Sequence, residues 1–272
     1  MTVEYHPIKL DAPSSMSLRA FATKYSGELS KDDAKKLLKK NQEKMRKLQV
    51  RLHAEQKQSL LVVFQAMDTG GKDSTIEKVV GHLNPQGCAV HGFKKPTDEE
   101  LAHDFLWRVH PHTPAAGQIS IFNRSHYEDV LIVKVHQWAA DRVIDQRYEQ
   151  INQFEHLLHS AGTRIVKIML HISSEYQRER LIRRLEKPSK QWKFNPADLV
   201  EREHWDAYTS AYETMLSRCS TSMAPWYIVP AETRWYRNVI VSQILRDTLE
   251  DMDPQFPDAN FDPDDYKIDP LS

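Results

Sequence analysis

The chain has 272 residues, enough for one large α/β domain with appendages or for two smaller domains. Lys and Arg number 37 against 38 Asp and Glu, a net charge of −1, with 40% hydrophobic and 28% charged residues. That balance argues against a nucleic-acid or membrane partner, so any polyanion site must be a local patch on a charged, soluble surface. A body of this length buries about 70–75% of its unfolded-chain surface and needs no staple. The two cysteines, Cys88 and Cys219, form no C-x-x-C pair, which argues against a zinc ribbon or a disulfide framework. The N-terminus lacks the basic-then-apolar order of a signal peptide, and no stretch approaches the ~18 apolar residues of a membrane span. A cytoplasmic protein is expected.

In chain order, the first 29 or so residues, with Pro7 and Pro13, read as an irregular arm. Ser30 followed by Asp32 and Asp33 is a helix cap with acidic residues in the first turn. From there to about Gln56, Ala34, Leu37, Leu38, Met45, Leu48 and Leu52 recur at three- and four-residue spacing, which predicts one amphipathic helix. Its other face carries Lys35, Lys36, Lys39, Lys40, Lys44, Lys47 and Arg51, either a solvated face or one rim of a polyanion groove. Buried strands and helices then alternate. Strands are expected at Leu60–Ala66, Cys88–Phe93, Gln118–Asn123, Arg164–Ile172 and Trp226–Ala231. Helices are expected at about Lys72–His82, Thr97–Trp107, Asp141–Ser160, from Ser173 onward, and at about Arg234–Asp251. This alternation predicts a parallel five-stranded sheet flanked by helices on both faces. The last 20 or so residues, rich in Pro and Asp, read as an extended or disordered tail.

The chain holds only eight glycines, about 3% against a usual ~7%. Two of them, Gly70 and Gly71, are adjacent in AMDTGGKDST, between the first buried strand and a helix start. Such a turn aims backbone N–H groups at an anion, and the helix N-terminus adds positive partial charge. Lys72 would reach the transferring phosphates, with Ser74 or Thr75 near a magnesium ion. The run departs from GxxxxGK(S/T) twice: Ala66 replaces the first Gly, and Asp73 follows Lys. Asp68 inside the loop would repel phosphates unless a cation intervenes, so it is expected to hold Mg²⁺ or orient the attacking phosphate. ISIFNRSHYED places Asn123 at a metal-side strand end with Arg124 beside it. Asn carries no charge to neutralise the metal, so Asp68 and Asp129 would carry that load.

These residues resemble the family-2 polyphosphate kinases, through AMDTGGKDSTI, FKKPTDEE, HDFLWRVH, IFNRSHYEDVL, RLEKPSKQWKFNPADL and APWYIVPA with RWYRN, in order over roughly residues 60–245. The detail is most similar to the class III branch, whose members use both AMP and ADP; related branches carry Asp where Asn123 stands and Asn where Glu128 stands. The resemblance implies a P-loop kinase-like three-layer sandwich with a helical lid. It also implies reversible, Mg²⁺-dependent transfer of the terminal polyphosphate phosphoryl to AMP and ADP, with Mn²⁺ as a substitute ion. Guanine nucleotides are a further acceptor option, and a homo-oligomer is expected. The division expected is an arm and basic helix at 1–57, a kinase domain at 58–251 with its lid at about 178–198, and an acidic tail at 252–272.

On this reading Lys72 and Arg124 act on the transferring phosphoryl and Asp68 on metal and nucleophile, with Asp129 as a second metal candidate. Thr69, Gly70, Gly71, Asp73, Ser74 and Thr75 form the phosphate and nucleotide loop, joined by Glu128. The lid supplies Arg183, which falls on the family's lid motif, along with Arg178, Lys190 and Lys193; Lys94, Lys95 and Arg108 would track the polymer. Arg180 and Arg184 lie on the same lid helix. The thirteen histidines, including His110 with His112 and His156 with His159, lack a catalytic zinc arrangement and read as structural or surface residues. The aromatic residues from Trp226 to Tyr236 read as core. The rivals are an ATP-dependent nucleotide kinase of the thymidylate kinase type and a non-catalytic nucleotide-binding module.

Overall fold

The computed structural model describes residues 8–262, 265 and 266. Six strands form one sheet: β1 (Ile8–Leu10), β2 (Ser59–Gln65), β3 (Cys88–Gly92), β4 (Ile119–Asn123), β5 (Thr163–His171) and β6 (Trp226–Pro230). Their order is β1-β6-β5-β2-β4-β3. β2 to β6 are mutually parallel, as the alternation predicts, while β1 from the arm adds an antiparallel edge on β6 through Ile8 to Ile228. The sheet therefore has one strand more than expected. Three residues between prolines give too weak a period-two pattern to register as a strand.

The ten α-helices among the described residues are α1 (Lys31–Glu55), α2 (Lys72–Val80), α3 (Asp98–Leu101), α4 (Ile132–Val135), α5 (Asp141–Ser160), α6 (Ser174–Glu186), α7 (Pro188–Gln191), α8 (Ala197–Glu203), α9 (Trp205–Arg218) and α10 (Arg234–Met252). Ser30 caps α1 by accepting from Asp33 N at 3.1 Å. Ser173 caps α6 by accepting from Tyr176 N at 3.2 Å. After α5 the chain turns at Gly162, whose φ of +93° suits glycine. The helix expected at 97–107 stops at Leu101 although its capping box is complete. The Asp104 carboxylate accepts from Leu106 N at 3.0 Å and offers the backbone a turn in place of the helix.

Right-handed crossovers from β2 toward β3 and from β4 back to β5 run in opposite directions along the sheet, which places α2 and α5 on opposite faces. α1 and α10 pack beside α2. Thus the segment before β2 packs onto the sandwich through both β1 and α1. Past α10, Gln255 N donates to Glu55 Oε2 at 3.2 Å and Phe256 lies under Arg51, so the start of the tail crosses the end of α1. The rest of the expected tail, at 263–264 and 267–272, falls outside the described residues. β2 is buried along its whole length, and beside it the chain direction of the crossovers switches, the place where ligands bind in open α/β sheets.

Candidate active site

The turn after β2 is shaped by its glycines. A Cβ on Gly70 would stand 2.6 Å from the Ala66 Cβ and 2.8 Å from the Met67 carbonyl. On Gly71, at φ +96°, a Cβ would fall inside the Arg237 guanidinium. Thr69 sits at φ +65°, and its hydroxyl is buried with no partner among the described residues. A strained, unsatisfied donor beside a helix N-terminus is what an incoming anion would satisfy.

Around this turn a cleft of about 510 Å³ opens at the C-terminal ends of β2, β3 and β4. Nine basic and four acidic side chains line it, so a chain with net charge −1 concentrates positive charge here. The basic set includes Lys72, Lys94 and Arg124 from the strand ends, Arg180, Arg183, Arg184, Lys190 and Lys193 from the lid, and Arg234 from the start of α10. Arg180, Arg183 and Arg184 stand three and four residues apart on one face of α6. Burial, with Arg234, Arg183 and Arg184 close by, holds Arg180 below the ordinary arginine value. Lys72 Nζ donates to the Ala66 carbonyl at 2.8 Å. Burial, reinforced by Arg124, lowers Lys72 from 10.5 to about 8. Such mutual repulsion among cations is relieved by a polyanion.

Arg124, at φ +63°, bridges two carboxylates: Nη2 donates to Asp68 Oδ1 at 2.8 Å and Nη1 to Glu128 Oε2 at 3.0 Å. Glu128, with burial opposing, raises Arg124 further above its ordinary value. Asp68, Arg124 and Glu128 also wall a cavity of about 30 Å³, room for about one water, together with Tyr208, Tyr212 and Trp205. Asn123 Nδ2 donates to Asp73 Oδ1 at 2.7 Å, so the strand-end amide holds the loop aspartate. Arg184 pairs with Asp198 at 2.8 Å across the lid.

The structure gathers Asp68, Thr69, Gly70, Gly71, Lys72, Asp73, Ser74, Lys94, Arg124, Arg183, Lys190 and Lys193 at this cleft, with Glu128 just behind Arg124. Other expected residues lie elsewhere. The Asp129 carboxylate accepts from Arg147 at 3.3 Å and lines neither cavity; burial, partly offset by Arg147, raises it to about 6. Arg108 is buried, donates to the Lys94 carbonyl at 2.8 Å and to Glu100 at 3.2 Å, and supports the FKKPT turn rather than facing a polymer. Arg178 faces off the lid's cationic stripe and pairs with Glu175 at 2.7 Å. Lys95 does not line the cleft. Thr75 is buried with its hydroxyl on the Gly71 carbonyl at 2.9 Å, where Ser74 Oγ also donates at 3.0 Å, so Thr75 secures the helix start instead of meeting a metal.

Reading the sequence missed Arg234 and Arg237, although both sit in the RWYRN run. Arg237 is 2% exposed beneath the phosphate turn, donates to Ser74 Oγ at 3.1 Å and to Asn238, and is lowered by burial to about 10. Both partners are neutral, so its charge is directed at the turn and whatever the turn binds. Trp226 and Tyr236 are core, as expected. Among the described residues no group of three His, Cys, Asp or Glu side chains has the arrangement to hold a metal ion. Asp68 and Asp73, two of the cleft's four carboxylates, with Ser74 next to Asp73 in sequence, fit an ion that arrives on phosphates, since Mg²⁺ is ordinarily held by one or two carboxylates plus substrate oxygens.

Residues 28–257 match the family model described as polyphosphate kinase 2. The chain is 50% identical over 214 residues to an AMP/ADP-polyphosphate phosphotransferase of Meiothermus ruber, covering 79% of this chain and 80% of that one. It is 43% identical over 242 residues to an ADP-polyphosphate phosphotransferase of Rhodopseudomonas palustris, covering 85% and 84%. The crystal structure of polyphosphate kinase 2 from Arthrobacter aurescens superimposes with a TM-score of 0.89 at 44% identity, over 93% of this chain and 92% of that one.

Proposed function

Because this chain belongs to the polyphosphate kinase 2 family, we propose that it transfers the terminal phosphoryl group of inorganic polyphosphate to AMP and ADP, forming ADP and ATP, in a reversible reaction. The observation that carries this reading is the cleft with nine basic side chains built on a phosphate-binding turn. An ATP donor needs only a few cationic contacts, whereas the lid stripe and Lys94 extend positive charge well past the turn.

In the transfer, an oxygen of the acceptor's terminal phosphate attacks the last phosphorus of the polymer in line. The new P–O bond forms as the bond to the next phosphate breaks, and the shortened polymer leaves with the electron pair. The charged groups repel one another in solution, so positioning and charge stabilisation supply the catalysis. Lys72 and Arg124 hold the transferring group, with Arg183 and its neighbours closing from the lid. Asp68, already held by Arg124 at 2.8 Å, orients the attacking oxygen. A divalent cation, Mg²⁺ or Mn²⁺, carried on the phosphates beside Asp68 and Asp73 would neutralise charge between donor and acceptor. Glu128 tunes Arg124 on the acceptor side and is the candidate for admitting AMP.

The test offers the protein each donor separately. Polyphosphate with Mg²⁺ and AMP yields ADP and then ATP on this reading. Product from ATP plus a nucleoside monophosphate, with none from polyphosphate, would favour the thymidylate-kinase-type rival.

A further inference from the structure

A lysine stands in the middle of a central parallel strand, where continuous apolar residues are the rule. Lys167 on β5 pairs across the sheet with Val63 of β2 and Trp226 of β6, and is 0% exposed. Its ammonium donates to Glu155 Oε2 at 2.6 Å, to the Tyr127 hydroxyl at 2.8 Å and to the Cys219 carbonyl at 2.6 Å. Glu155, on α5 and 2% exposed, uses its other oxygen to accept from Tyr127 OH at 2.7 Å and to meet His126 Nε2 at 3.2 Å. Burial pushes Glu155 up, but Lys167 and His126 outweigh it and leave the carboxyl below its ordinary value. Burial lowers His126 below the ordinary imidazole value, which favours the neutral ring beside that carboxylate.

Both of the loop residues that reach this pair belong to the short helical turn His126–Val130, two and three residues after Arg124. His126 and Tyr127 point into the core, while Arg124, just before the turn, lines the cleft and pairs with Glu128 of the turn behind it. Arg124 holds a left-handed backbone that an unsupported turn would abandon. Ser125 adds a third tether, accepting from Gln65 Nε2 and from Tyr127 N, each at 3.1 Å. A buried ion pair of this kind is often neutral or unfavourable for stability compared with apolar residues, so stability does not explain its presence.

We infer that Lys167 and Glu155 are positioning residues: the buried pair clamps the turn that carries Arg124 and Glu128, setting those side chains for transfer without touching substrate. This rests on the proposed roles of Arg124 and Glu128. The test compares the full chain with the double variant Lys167→Met plus Glu155→Gln, which removes both charges and keeps an acceptor for His126 and Tyr127. The expected result is a melting temperature within a few degrees of the parent. Turnover should fall at least tenfold well below melting, with unchanged KM for polyphosphate. Backbone amides at 124–131 should exchange with solvent at least tenfold faster, while those at 72–80 do not change. A folded variant in which either turnover or exchange at 124–131 stays at the parent's value overturns the inference. If the double variant does not fold, Tyr127→Phe, which deletes the hydroxyl that joins both members of the pair to the turn and leaves the His126 contact, is judged by the same two readings. If the parent shows no transfer from polyphosphate, the functional reading fails, and the exchange measurement alone decides whether the pair holds the turn.

Discussion

Lys72→Met should make the protein more stable and nearly inactive at once. The folded chain releases the Lys72 proton near pH 8, whereas an ordinary lysine holds it to 10.5. At about 1.4 kcal/mol per pH unit that gap amounts to about 3 kcal/mol of destabilisation when the ammonium is charged. Its side chain keeps partial access to the cleft, and water recovers part of this, leaving an expected gain of about 1–2 kcal/mol. The direction with pH follows from proton counts. Between about pH 8 and 10.5 the unfolded state binds more protons than the folded one, so parent stability rises with pH across that window. The full penalty is present below about 8 and is gone above 10.5. Urea denaturation at pH 7 should therefore favour Lys72→Met, with parent and variant converging toward pH 10.5. Meanwhile kcat should drop by about 10²–10³-fold or more, the usual effect of removing one donor from transition-state charge. In the parent, kcat/KM should fall as pH rises through about 8, because free enzyme loses the ammonium there. A variant less stable than the parent at pH 7, or one retaining turnover, would refute the reasoning.

Lys94→Ala and Arg183→Ala should raise the KM for polyphosphate and flatten its salt dependence, by analogy with counterion release from nucleic acids, whereas Lys95→Ala, outside the cleft, should change neither. Glu128→Asn should lower kcat/KM for AMP more than for ADP; equal losses would mean that Glu128 serves only to hold Arg124, 3.0 Å away. Gly71→Ala should abolish polyphosphate-dependent turnover by driving a methyl into Arg237, and circular dichroism should show the fold retained; a variant with parental activity would show that the turn has room the geometry denies.

The phosphate turn was legible because its chemistry is local: strand, paired glycines, lysine and helix start are contiguous in sequence. The cationic stripe of α6 was half legible. Helical spacing puts Arg180, Arg183 and Arg184 on one face and turns Arg178 away, but charge alone does not say which face meets the cleft. Arg237 was not legible, because its target, Ser74, lies 163 positions away in sequence and only the packing of α10 against α2 joins them. Asp129 and Arg108 have the right chemistry for the site, and tertiary partners, Arg147 and Glu100, claim them instead. Lys167 left a readable signal, a single charge within an apolar strand, but its partners Glu155 and Tyr127 come from separate elements. The short edge strand β1 owes its existence to pairing with β6, which no local pattern encodes.

The central claim is tested most directly by incubating the purified protein with Mg²⁺, AMP and a polyphosphate of defined length, without ATP, and following nucleotides and polymer together by ³¹P NMR. The account predicts ADP and then ATP, with one polymer phosphate consumed for each new nucleotide phosphoanhydride and no build-up of free orthophosphate. Polymer that stays intact, or that shortens only to orthophosphate while AMP is unchanged, would contradict it.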